Sequence, residues 1–168
     1  MFIEIPASKS SISKRKLSYG VGINDADYIT CRKIKGKWLR CPFYQRWRNM
    51  LERCYSTKFH NHHPTYKDCS VCEEWLTFSN FKAWMIKQDW KNKHLDKDLL
   101  IRGNKTYSTS ACLFIPPQIN TFLTNCETPI SEHPKGVYLD KRRGKFQANC
   151  KTITGRKFLG YFDSSVRS

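Results

Sequence analysis

Acidic residues are scarce in this chain. Asp and Glu number 14 against 30 Lys and Arg, so the formal net charge is +16 at pH 7 and the pI is about 9.7. That imbalance excludes an acidic mimic of DNA. It suits a polyanionic partner, with nucleic acid as the first candidate. Long apolar runs are also missing. None approaches the roughly 20 residues that cross a bilayer, so no membrane partner is expected. The start, MFIEIPASKSS, lacks a basic stretch followed by an apolar core, so it does not read as a secretory signal. Disorder is excluded by what is present. Hydrophobic residues make up 39% and aromatics 14%, enough surface to offset chain entropy on burial. The 168 residues make one ordinary domain or two small ones.

Cysteine is plentiful, at 31, 41, 54, 69, 72, 112, 126 and 150. With no signal peptide and no dense framework, a reducing cytosol is the expected compartment and buried thiols the expected state. Cys69-Ser70-Val71-Cys72 has the gap that lets two thiolates grip one Zn²⁺. A second such pair is absent. Cys54, His60, His62, His63 and Cys112 are the remaining candidates, but none repeats that spacing, and Cys54, Cys72 and Cys112 read as core.

Residues 1–20, with the run SKSSISKRK, show no hydrophobic period and predict a flexible basic arm. Lys35-Gly36-Lys37 predicts the turn of a short hairpin. Pro42 opens a helix at its favoured first position. Phe43, Trp47, Met50, Leu51 and Cys54 then form one apolar face at helical period, and Arg46, Arg48 and Arg53 lie off that face. These three are either a solvated surface or phosphate contacts. Residues 56–70 read as loop. Phe78, Phe81, Trp84 and Met85 predict a second packed helix, with Ser79 as its N-cap. His94–Leu100 and Ala111–Pro116 are strand candidates, with a turn at Arg102-Gly103-Asn104 between them. A helix begins at Pro117. Strand, strand, helix makes a ββα unit.

Residues 126–135 hold two prolines and no period, which predicts a linker. Three strands follow: Gly136–Asp140, Lys145–Lys151 and Lys157–Phe162. Arg142-Arg143-Gly144 and Thr154-Gly155-Arg156 are the turns between them. In the middle strand Phe146, Ala148 and Cys150 alternate with Lys145, Gln147, Asn149 and Lys151. One face is therefore apolar and the other polar and basic.

The stretch GVYLDKRRGKFQANCKTITGRKFLGYFDS resembles an AP2 DNA-binding domain. The resemblance rests on Gly136-Val137, Lys145-Phe146-Gln147-Ala148 and Leu159-Gly160-Tyr161-Phe162. It implies a three-stranded sheet laid in the major groove. Ser168 stands where the backing helix of that family would begin, so the N-terminal domain or a second chain, in a homodimer, is expected to cover the apolar face. The region 42–123 resembles phage and mobile-element proteins of the HNH (His-Me finger) type. Its carriers are Tyr44-Gln45-Arg46-Trp47, Arg53-Cys54-Tyr55, Pro64-Thr65-Tyr66, Val71-Cys72-Glu73-Glu74-Trp75, Leu95-Asp96-Lys97-Asp98, Gly103-Asn104, Tyr107-Ser108 and Cys112.

Together the resemblances imply an α+β protein: an HNH-like domain over 21–125, the linker, and a truncated AP2-like sheet over 136–168. They imply duplex DNA as partner, in the cytoplasm of a bacterial host. On the HNH pattern Asp96 matches the acidic metal ligand and Asn120 the helix ligand, and Lys97 stands where the catalytic His belongs. His94 shares a strand face with Asp96 and is a substitute base. Asp96, Asp98 and Asn120 could hold Mg²⁺ or Mn²⁺ through oxygens, or the acids pair with nearby Lys and Arg. Arg142, Arg143, Lys145, Gln147, Asn149, Lys151 and Arg156 are the expected DNA-reading surface. Two functions follow: a metal-dependent nicking endonuclease, or a DNA-binding regulator or host-takeover factor on a degenerate nuclease scaffold.

Overall fold

The structure is a computed structural model that describes residues 2–126, 133–134, 136–152 and 155–165. It is mixed α+β, and the chain divides into two compact units, Met1–Pro117 and Gln118–Ser168.

The first unit is built around helix packing. Helix α1 (Lys9–Ser13) is short. Strands β1 (Cys31–Ile34) and β2 (Lys37–Arg40) form an antiparallel hairpin. Lys35 and Gly36 both take positive φ, 47° and 80°, the geometry of a two-residue turn that suits strand twist. Helix α2 (Pro42–Tyr55) starts on Pro42 and buries Trp47, Met50, Leu51 and Cys54, the face its periodicity predicts. Helices α3 (Thr57–His62), α4 (Glu73–Leu76) and α5 (Phe78–Ile86) follow.

The core joins α2 to α4 and α5. Trp47, Trp75, Phe78 and Phe81 are almost fully buried. The Trp47 indole N–H donates to the Trp75 carbonyl at 2.7 Å, so this large side chain enters the core with its one polar group satisfied. Trp47 also lies against the Tyr44 and Phe78 rings, with centroids at 5.7 and 5.5 Å. Trp84 packs against Trp75, Phe81 and Phe114.

Gly22 is buried beside this face. A Cβ there would collide with Leu51 Cδ1 and the Trp47 ring. Gly22→Ala is therefore expected to lower stability by about 1–3 kcal/mol through overpacking. A melting curve unchanged from wild type would contradict this packing.

Several sequence expectations change. Residues 1–20 do not form a free arm. The backbone of Ala7 bonds Asp27 and that of Ile29 bonds Ile5. The Arg15 guanidinium donates to the carbonyls of Asn24, Ala26 and Tyr28. One arginine thus ties down a segment with no hydrophobic period. Residues 57–62, expected as loop, form α3 because the Ser56 hydroxyl caps it, accepting from the Phe59 N–H at 3.2 Å. Ser79 does not cap α5. Its own N–H donates to Asp25 Oδ1 at 2.9 Å, so the cap comes from a residue distant in sequence.

Strand β3 (Ser70–Val71) pairs parallel with β5 (Thr106–Tyr107), and β4 (His94–Asp96) pairs antiparallel with β6 (Leu113–Ile115). The strand expected over 94–100 ends at Asp96. Its Oδ1 accepts from the N–H groups of Asp98 and Leu99, at 3.0 and 2.7 Å, a side-chain turn that stops the strand. Asp98 therefore lies outside the strand and does not share its face with Asp96. Helix α6 (Pro117–Cys126) follows β6, and β5 intervenes in the chain between β4 and β6, a strand the sequence did not announce.

The buried thiols are expected to make the first unit sensitive to alkali. Burial, ahead of neighbouring groups, pushes Cys54 and Cys112 up to about 12. Burial likewise raises the Tyr107 hydroxyl above its usual range. A raised folded-state value means the stabilisation is complete below about pH 9 and is lost as pH climbs toward 12. Each thiol then removes about 1.4 kcal/mol per pH unit across that window. The melting temperature is expected to hold to about pH 9 and fall above it. Cys54→Ala with Cys112→Ala should flatten that fall, and an equally steep fall in the double variant would contradict the argument.

The second unit holds α6 beyond Pro117 and an antiparallel sheet of β7 (Val137–Asp140), β8 (Lys145–Thr152) and β9 (Gly155–Phe162) in the order β7-β8-β9. The expected linker over 126–135 lies outside the described residues except for Cys126, His133 and Pro134. Gly136 takes φ of 85°, and a Cβ there would strike the Asn149 carbonyl oxygen. Only glycine fits that approach. Arg156, expected in a turn, lies in β9.

Candidate nucleic-acid interface

Four polar side chains of the first unit converge on one small pocket. Arg46, Asn49 and Arg53 come from α2, spaced so that they climb one side of the helix. His94 comes from the start of β4. With Met50 and Leu95 they line a cavity of about 80 Å³. Among the described residues no hydrogen bond or ion pair reaches the Arg46 side chain. Burial first, and then the neighbouring Arg53 charge, lower its proton affinity. Two guanidinium groups beside one another without a carboxylate form an arrangement that an anion relieves, and a phosphate suits their forked donors. Burial also works against the Arg53 charge. The Tyr107 hydroxyl, which accepts a hydrogen bond from it, and the Tyr66 hydroxyl outweigh that effect and raise the net value. Arg48 points elsewhere. It lies over the Tyr19 ring at 5.4 Å and reaches the Tyr19 hydroxyl at 3.4 Å.

The two acids expected as metal ligands, Asp96 and Asp98, are engaged within the chain. Lys97 is buried, and its ammonium donates to Asp98 Oδ1 and Oδ2 at 2.7 and 2.8 Å and to the Asn104 carbonyl at 2.8 Å. All three donors of the Lys97 side chain are thereby used inside the chain. Asn104 Nδ2 in turn donates to the carbonyls of Lys97 and Thr106, at 2.9 and 2.7 Å, and fixes the loop. Lys97 thus clamps the turn after β4. Asp98 is committed to Lys97, and Asp96 Oδ1 to two backbone N–H groups. Asp98 therefore does not fit a shared metal centre, whereas Asp96 keeps Oδ2. Asn120 lies on α6, in the second unit.

Cys69 is buried and Cys72 half-buried, and burial raises both thiols. A metal ligand must be a thiolate. Among the described residues no group of three or more His, Cys, Asp or Glu is placed to hold a metal, so no third ligand joins this pair.

The sheet of the second unit gathers a different surface. Strand register puts Lys145, Gln147, Asn149 and Lys151 of β8 on one face. Their cross-strand partners on β9 are Tyr161 for Gln147, Phe158 for Asn149 and Arg156 for Lys151. A bulge between Ala148 and Asn149 absorbs Leu159 and keeps Phe158 and Tyr161 on that face, with ring centroids 5.3 Å apart. On β7, Tyr138 pairs with Gln147. Arg143 lies over the Tyr161 ring at 4.6 Å. Asp140 Oδ1 holds the turn through the N–H groups of Arg142 and Arg143. The Lys145 ammonium meets Asp163 at 3.2 Å.

The five β8 and β9 polar residues expected to read DNA thus share a face, with Arg142 and Arg143 on the adjoining turn. The aromatic members Tyr138, Phe158 and Tyr161 were not expected. For Phe158 and Tyr161 the signal was the period-two pattern of β9, which the bulge interrupts; for Tyr138 it was its alternation with Val137 and Leu139 on β7. Sequence reasoning also missed Asn49 as a pocket residue.

No protein family, curated protein or solved structure matches the chain.

Proposed function

We propose that the chain is a duplex-DNA-binding protein of HNH lineage acting in the bacterial cytoplasm. The observation that carries this reading is the pair Arg46 and Arg53, which line one pocket with no acidic partner among the described residues. The pocket takes a backbone phosphate. The polar face of the sheet, with Arg, Lys, Gln and Asn beside aromatic rings, supplies groups suited to base edges in the major groove. Gln and Asn pair with adenine, Arg and Lys with guanine. Saturation of Lys97 and the engagement of Asp98 favour a binder on a degenerate nuclease scaffold.

One observation favours a nicking endonuclease as the second reading. His94 stands beside Arg46 and Arg53, so an imidazole neighbours the phosphate pocket. A bound Mg²⁺ or Mn²⁺ would supply Lewis-acid stabilisation of the phosphodiester, with the free oxygen of Asp96 as one ligand. Within the chain, Arg46 and Arg53 would orient the phosphate and His94 would accept a proton from water.

Incubation with supercoiled plasmid and Mg²⁺ or Mn²⁺, read by gel, separates the two. The binder reading expects retarded but intact plasmid. Nicks that disappear in both His94→Ala and Asp96→Ala would overturn it in favour of the nuclease.

A further inference from the structure

The β1–β2 hairpin is the most basic short segment of the first unit. Residues 31–40 hold Arg32, Lys33, Lys35, Lys37 and Arg40 and no Asp or Glu. The two strands form a sheet of their own. Register sets Lys33 opposite Trp38 and Cys31 opposite Arg40, so one face presents Lys33, Trp38 and Arg40 together. The Trp38 side is 62% exposed, an unusual position for the largest apolar side chain. Lys35 and Lys37 flank the tip. Among the described residues no carboxylate pairs with Lys33, Lys35 or Lys37. The base of the ribbon is anchored: Arg32 lies over the Phe2 ring at 5.9 Å, and the Cys41 N–H bonds the Thr30 carbonyl at 2.9 Å.

An exposed indole with Lys33 and Arg40 on its own face, and Lys35 and Lys37 at the tip, has little to gain from water and much from a surface that is both anionic and aromatic. Duplex DNA is such a surface. A two-stranded ribbon is of a width that a DNA groove admits, and a tight turn with Gly36 presets its shape at low entropic cost. We propose that this hairpin is a second DNA-contacting element, in which Lys33, Lys35 and Lys37 neutralise phosphates and the Trp38 indole wedges against a base step. It rests on the duplex-DNA reading and adds to it a surface that deforms the DNA. Apolar side chains inserted between base pairs unstack and kink the duplex, and unstacking is accompanied by unwinding.

The test uses the full chain and closed circular plasmid relaxed by a type I topoisomerase, alongside salt titrations on duplex DNA. Wild type is expected to change the linking number of the plasmid. Trp38→Ala should abolish that change, and Trp38→Phe should keep most of it. Replacing Lys33, Lys35 and Lys37 together by Gln should reduce the salt slope by about 2.7, at about 0.9 per phosphate lost. All three lysines and Trp38 are on the surface, so the variants should melt as wild type does. If wild type binds the duplex and the variants match it in both assays, the hairpin inference fails and the DNA reading stands. Binding by wild type without any change in linking number overturns the wedge. If wild type does not bind duplex DNA at all, the DNA reading fails first and the hairpin with it.

Discussion

Arg46→Ala is expected to weaken duplex binding by about 10- to 150-fold while leaving the free protein at least as stable as wild type. The two effects have opposite signs for one reason. In the free protein the Arg46 charge is opposed by burial and by Arg53, and no partner in the described residues rewards it. Removing it therefore costs the fold nothing of consequence. In the complex the same guanidinium would meet a phosphate, and a hydrogen bond to a charged group is worth about 1.5–3 kcal/mol. Arg46→Lys should recover only part of the binding, because an ammonium lacks the forked donors. The measurement is a fluorescence titration on a labelled duplex beside a thermal melt. A variant that melts lower and binds as well as wild type would show that Arg46 is a structural residue.

Trp47→Ala carries the largest expected loss of stability, about 3–5 kcal/mol. Trp47 is fully buried, its N–H holds the Trp75 carbonyl, and its ring touches Tyr44 and Phe78. Truncation leaves a cavity at the junction of α2 with α4 and α5, and it orphans a buried carbonyl. A domain of ordinary stability has about 5–15 kcal/mol in all, so the melting temperature should drop by about 10–25 °C. Trp47→Phe keeps the ring and loses the hydrogen bond, and should fall between the two. If Trp47→Ala melts within a few degrees of wild type, the core is not organised around this residue.

Much of the fold was legible because it follows short-range rules. The buried face of α2 is a periodic pattern that begins on a favoured proline, and the hairpin turn needs only Lys35-Gly36. The alternation of Phe146, Ala148 and Cys150 with polar residues gave β8 and its two faces. What escaped depends on partners far away in the chain. Asp25 caps α5, which no local pattern around Ser79 announces. Arg15 anchors the N-terminal segment through three carbonyls, and a lone arginine in a Ser/Lys-rich run carries no such signal. The strand at His94 stops early because Asp96 bonds the backbone beyond it, so a residue read as a metal ligand does turn chemistry. Arg46 and Arg53 were legible as basic residues off the apolar face. Their meeting with His94 in one pocket was not, since it joins a helix to a strand with α3, α4 and α5 between them in the chain. Phe158 and Tyr161 were hidden as members of the sheet face by the bulge at Ala148/Asn149, which breaks the alternation on β9.

The excess of cationic charge is proposed to serve DNA phosphates. The most direct measurement is the affinity of the full chain for duplex DNA over a range of salt concentrations. If about six phosphates are neutralised, log K should fall against log salt with a slope of about −5. An affinity independent of salt, or no detectable binding at low salt, would contradict the account.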